Sequence, residues 1–77
     1  MELNSYEVKV RCGVSGRIYS ADVDAVSAVA AIKQAIEWGM ARKIIVRYQG
    51  CTEAMVDGAE WTCYRERWLP TEILPYI

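Results

Sequence analysis

The chain contains no histidine and no phenylalanine. Without histidine there is no Ser-His-Asp or Cys-His nucleophilic pair, no imidazole metal ligand and no imidazole base near neutral pH. Glycine and proline are sparse, five and two among 77 residues. No glycine-rich phosphate loop is present, because Gly13-Val14-Ser15-Gly16 lacks the lysine and the following helix of a P-loop. An excess of either charge is also lacking. Nine basic and ten acidic residues leave a formal charge of −1, which gives no electrostatic footprint for general polyanion binding. There is no long apolar run. The stretch from Val26 to Ile36 is interrupted by Ser27, Lys33 and Gln34, and it is shorter than the ~20 apolar residues that span a bilayer. The opening Met-Glu-Leu-Asn-Ser-Tyr-Glu has no basic segment leading into an apolar one, so it does not read as a signal peptide. Cysteine is limited to Cys12, Cys51 and Cys63. An odd count without a CxxC pair argues against a disulfide framework or a zinc site, and reduced, buried thiols are expected. The alternative, in an oxidising compartment, is a Cys51–Cys63 bridge. These absences together describe a soluble, cytoplasmic protein with no cofactor, no metal and no membrane partner, and not an enzyme.

What is present is a globular composition, 53% hydrophobic and 25% charged, in a chain of single-domain length. Tyr6, Val8, Val10 and Cys12 alternate with Glu7, Lys9 and Arg11, the period of a strand with one buried face. Gly13 to Gly16 supplies a hairpin loop. The return strand runs from Arg17 to Ala25, with Tyr19, Ala21, Val23 and Ala25 inward and Ser20, Asp22 and Asp24 outward. Asp22 and Asp24 are expected across from Lys9 and Arg11 on the wet face. Ser27, or alternatively Asp24, caps a helix ending near Gly39, with Val29, Ile32 and Ile36 as its core stripe and alanines beside it. The β-branched run Lys43 to Gln49 predicts the third strand. Thr52 to Val56 reads as a short strand before the Asp57-Gly58 hairpin signal, and residues 59–67 as the last long strand. Pro70 suits the start of a short helical segment in a tail, residues 69–77, whose apolar side chains are expected to pack on the domain edge. The fold class is α+β: an antiparallel sheet of four or five strands in β-β-α-β-(β)-β order, with one helix packed on one face and the other face open.

The functional candidates lie on surfaces the helix leaves uncovered. Lys9, Arg11, Asp22, Asp24, Arg47, Tyr64 and Glu66 are expected on the open sheet face, and Trp38 on the helix side away from Val29 and Ile36. Asp22 and Asp24 could serve as an acid/base or cation pair, but solvated strand residues are the ordinary reading. A basic face with central aromatics would suit RNA. Here carboxylates share the face and would repel phosphate, so a protein partner fits better. Trp38 is either an interface residue or is covered by the tail, and Tyr64 has the ordinary alternative of an exposed strand tyrosine.

Ser5-Tyr6-Glu7-Val8-Lys9-Val10, Ala35-Ile36-Glu37-Trp38-Gly39 and Trp68-Leu69-Pro70-Thr71-Glu72-Ile73-Leu74 resemble segments of small phage-encoded anti-CRISPR proteins that inhibit type I Cas complexes. The resemblance implies a non-catalytic inhibitor in the host-cell cytoplasm. It would bind a Cas subunit or surveillance complex and block DNA targeting or nuclease recruitment. No functional residue carries over, because the family shares no catalytic motif. The alternative is a small nucleic-acid-binding or homo-oligomeric phage accessory protein, for example a homodimer, using the open sheet face.

Overall fold

A computed structural model describes residues 2–77. Strands β1 (Asn4–Arg11) and β2 (Ile18–Ala25) form a hairpin, helix α1 (Ala28–Ala41) follows, and β3 (Glu53–Val56), β4 (Ala59–Tyr64) and β5 (Arg67–Pro70) form a meander. The sheet order is β2-β1-β3-β4-β5, with every neighbouring pair antiparallel. Helix α1 lies on one side of the sheet, against β2 and β1 and the near end of β3. This is the α+β arrangement that the alternation predicts.

The first half forms as its patterning dictates. Ser27 caps α1, its Oγ accepting the Ala30 N–H at 3.1 Å. Ile32 and Ile36 are fully buried with Val8, Val10 and Val23 in one core cluster. The helix continues past Gly39 to Ala41, so Gly39 is not a terminator. It is buried inside the helix, where a Cβ would lie 2.5 Å from Ile45 Cδ1 and 3.2 Å from the Tyr19 ring. Arg42 closes the helix instead: its backbone N–H and its Nη1 both donate to Trp38 O, at 3.1 and 3.3 Å. A cation at this end also complements the helix dipole.

Residues 43–49 are not the predicted strand. Lys43 is left-handed, with φ 61°, and this reverses the chain. The N–H groups of Ile44 and Ile45 both donate to Gly39 O, at 2.9 and 3.1 Å, which satisfies a terminal helix carbonyl rather than a sheet neighbour. Ile45 is 2% exposed and plugs the core, whereas Val46 is 57% exposed. A short 3-10 turn at Tyr48–Gly50 then leads into β3. Tertiary packing of Ile45 thus overrides the β propensity of the run. The predicted strand over 59–67 is likewise two strands, β4 and β5, joined by Arg65 (φ 50°) and Glu66 (φ 65°). Two left-handed residues make the same primed turn that Asp57 (φ 51°) and Gly58 (φ 83°) make between β3 and β4.

After β5 the chain forms a second 3-10 helix, Thr71–Tyr76, against β4 and β5. Leu74 is half-buried there, while Ile73, Tyr76 and Ile77 are exposed.

Candidate functional site

Strand alternation and the register together place the side chains of the open face in rows. One row runs Ser20, Lys9, Met55, Glu60, and the next Ile18, Arg11, Glu53, Thr62, Leu69. Lys9 and Arg11 therefore do not lie across from Asp22 and Asp24. Asp22 lies opposite Glu7, and Asp24 opposite Ser5, whose hydroxyl donates to Asp24 Oδ1 at 2.6 Å. The loop sets this register. Cys12 N–H donates to Arg17 O at 2.8 Å and Gly16 N–H to Cys12 O at 2.7 Å, closing the hairpin on the Cys12·Arg17 pair.

The face is consequently divided by charge. Glu7, Asp22 and Asp24 occupy one end, beside the turn residue Asp57, whose Oδ1 accepts the Glu7 N–H at 2.8 Å and whose N–H donates to Glu7 O at 2.9 Å. Lys9 and Arg11 occupy the middle with Glu53 and Glu60. Here a groove of about 390 Å³ opens, lined among others by Lys9, Arg11, Ile18, Met55, Thr62 and Thr71. Its apolar part is accessible, with Ile18 55% and Met55 39% exposed. A 2.7 Å hydroxyl–hydroxyl bond between Thr62 and Thr71 holds the start of the C-terminal 3-10 helix at the groove wall. Such a surface offers apolar contact in the centre and charges of both signs around it, the chemistry of a protein-docking patch.

Of the residues singled out from the sequence, Lys9, Arg11, Asp22, Asp24 and Tyr64 share this face. Tyr64 is 37% exposed and stacks under the Arg65 guanidinium, 5.2 Å from its ring centroid. Arg47 does not share the face, because it precedes the 3-10 turn at Tyr48–Gly50 and belongs to no strand. Glu66 sits in the β4–β5 turn. Trp38 is half-buried on α1 and packs against the core, across the sheet from the groove. Ile18, Met55, Thr62 and Thr71 were missed by sequence reasoning. Ile18 and Thr62 follow from alternation in β2 and β4 but carry no charge or aromatic ring to draw notice, whereas placing Met55 and Thr71 beside them needed the β3–β4–β5 turns, of which only Asp57-Gly58 has a sequence signature.

The thiols are all free, Cys12 and Cys51 buried and Cys63 half-buried. The Ser15 hydroxyl and backbone N–H groups, including that of Val46 at 3.4 Å, hydrogen-bond to Cys12 Sγ and hold its pKa at about 6. Burial, with the neighbouring Cys12 charge, pushes Cys51 up to about 11. Among the described residues no group of three or more Cys, Asp or Glu is arranged to hold a metal ion, and no helix is long and apolar enough to cross a membrane. Compared with known proteins, the chain matches no family model, no curated protein and no solved structure.

Proposed function

We propose that this chain is a non-catalytic protein-binding domain that docks through the open face of its sheet. The observation that carries this reading is the groove in which exposed Ile18 and Met55 are ringed by Lys9, Arg11, Glu53 and Glu60. Phosphate would meet Glu7, Asp22 and Asp24 on the same face, which favours protein over nucleic acid. A standard interface buries ~800 Å² per partner, a small share of the 5257 Å² surface of this domain. The resemblance of the Ser5–Val10, Ala35–Gly39 and Trp68–Leu74 segments to type I anti-CRISPR proteins makes a Cas surveillance complex the first partner to try, with inhibition by occupancy in the host-cell cytoplasm.

The test is co-elution of the purified chain with type I surveillance complexes, together with the effect of the chain on target-DNA binding by those complexes. Lys9→Glu and Arg11→Glu should abolish co-elution, while Arg47→Glu, which lies off the face, should leave it intact. The reverse pattern refutes the groove as the docking surface. A salt-dependent shift of single-stranded RNA or DNA, with no protein partner retained, would favour the nucleic-acid alternative.

A further inference from the structure

We infer that the free edge of β2 takes up an extended segment of the protein partner, and that this segment carries lysine or arginine at alternate positions. The inference rests on the protein-binding reading above and names the chemistry of the partner. It starts from where the backbone groups of β2 point. Cys12 N–H donates to Arg17 O, so Cys12·Arg17 is a hydrogen-bonded pair. Antiparallel pairs alternate between bonded and non-bonded. Val10·Tyr19, Val8·Ala21 and Tyr6·Val23 are then bonded, and Ile18, Ser20, Asp22 and Asp24 turn their N–H and C=O groups away from β1. The same alternation sends the odd residues of β1 toward β3, as the Asp57 N–H to Glu7 O bond shows. Because β2 is the end strand of the sheet, these outward groups form an open template.

Edge strands are ordinarily blunted by shortness, charged side chains (lysine above all), proline or a bulge. β5, at the other edge, is four residues long and ends in Pro70. β2 is eight residues long, contains neither lysine nor proline, and pairs with β1 without interruption. Its charge then selects the occupant. Glu7 and Asp22 form a non-bonded pair, the geometry in which cross-strand side chains come closest. Two carboxylates therefore face each other, and Asp24 stands two residues along the same side. Lys9, diagonal to Asp22, gives this strip one cation beside three carboxylates, and a strand added outside β2 with cations on the open side supplies the remaining counter-charge. A second copy of β2 would instead bring another Asp22 and Asp24 to it.

The test uses the full ¹⁵N-labelled chain and two synthetic probes, Thr-Lys-Val-Lys-Thr-Lys-Val and Thr-Glu-Val-Glu-Thr-Glu-Val. The lysine peptide should bind and slow amide exchange at Ser20, Asp22 and Asp24, and the glutamate peptide should bind about tenfold more weakly, the scale of two cross-strand ion pairs. Asp22→Lys combined with Asp24→Lys should invert the preference. Ser20→Pro removes an outward N–H without breaking the β1–β2 ladder, so it should abolish protection while the thermal transition stays in place; if that variant does not fold, the inverted preference decides. Equal binding of both peptides, protection located elsewhere, or a dimer that protects the same amides without peptide overturns the inference. If the lysine peptide fails while Lys9→Glu still abolishes capture of a Cas complex, the edge inference alone falls. If the peptide binds and no Cas complex does, the edge stands and the Cas partner falls.

Discussion

Replacing Glu7 with lysine should stabilise the protein, because the register places Glu7 directly opposite Asp22. Both side chains are exposed, so the dielectric around them is close to that of water. Two unit charges ~5 Å apart repel by roughly 0.8 kcal/mol in water, and 0.1 M salt, with a Debye length of ~10 Å, leaves about 0.5 kcal/mol. Glu7→Lys turns this repulsion into an attraction of similar size, so stability should rise by about 0.5–1 kcal/mol, within the range of cross-strand pairs. The Glu7 backbone bonds to Asp57 do not involve the side chain and survive the change. For a domain of this length the expected rise in Tm is about 3–6 °C. Thermal denaturation by circular dichroism at low and high salt measures it. Added salt should raise the Tm of the wild type relative to the variant and shrink the gap between them. A variant less stable than wild type at low salt, or a gap indifferent to salt, would refute the register-based reasoning.

Three further outcomes are expected. Gly39→Ala should lower stability by up to about 2 kcal/mol in urea denaturation, because the new Cβ would lie 2.5 Å from buried Ile45 Cδ1, and the ~1–3 kcal/mol of overpacking is offset only in part by the ~1 kcal/mol helix-propensity gain; a gain in stability would show that the site has room. Glu66→Gly should raise stability by about 0.5–1 kcal/mol, since Glu66 is held at φ 65°, a region that penalises a Cβ; an unchanged urea midpoint would show that the turn is unstrained. Cys12 is held at about 6 against an ordinary 9.0, so folding favours its thiolate: this contribution is complete above the unfolded value and is lost as pH falls through the folded one. Urea midpoints of the wild type should accordingly rise relative to Cys12→Ala between pH 6 and 9, and parallel curves would rule the thiolate out.

The legible parts of the fold were those in which local patterning and tertiary packing agree. Strict alternation through Tyr6–Cys12 and Tyr19–Ala25 produced the first hairpin, and Ser27 with Ile32 and Ile36 produced the helix. Ile44-Ile45-Val46 misled because a β-branched side chain fills a core equally well from a loop, and only the capture of two N–H groups by Gly39 O tells the two apart. The β4–β5 turn was hidden because Arg65 and Glu66 adopt left-handed conformations without a glycine, asparagine or aspartate to announce them. The candidate site followed the same division. Lys9, Arg11, Asp22 and Asp24 were placed on the open face by alternation alone. Who stands beside whom depended on the loop closing at Cys12·Arg17, a matter of one hydrogen bond that residue types do not specify.

The position of β1 between β2 and β3 bears on how the molecule holds together. Every other strand pairing joins chain neighbours through a tight connection, so the hairpin with its helix and the C-terminal meander are each assembled from short-range contacts. Among strand pairings, the two halves are zipped along one seam, the four residue pairs from Val8·Val56 to Arg11·Glu53. The intervening connection adds little for its length, since doubling a flexible loop costs only about 0.6 kcal/mol. That short seam, together with the core in which Ala54, Val56 and Trp68 pack with Val8, Val10 and Ile32, therefore decides whether the two halves melt as one body or part company.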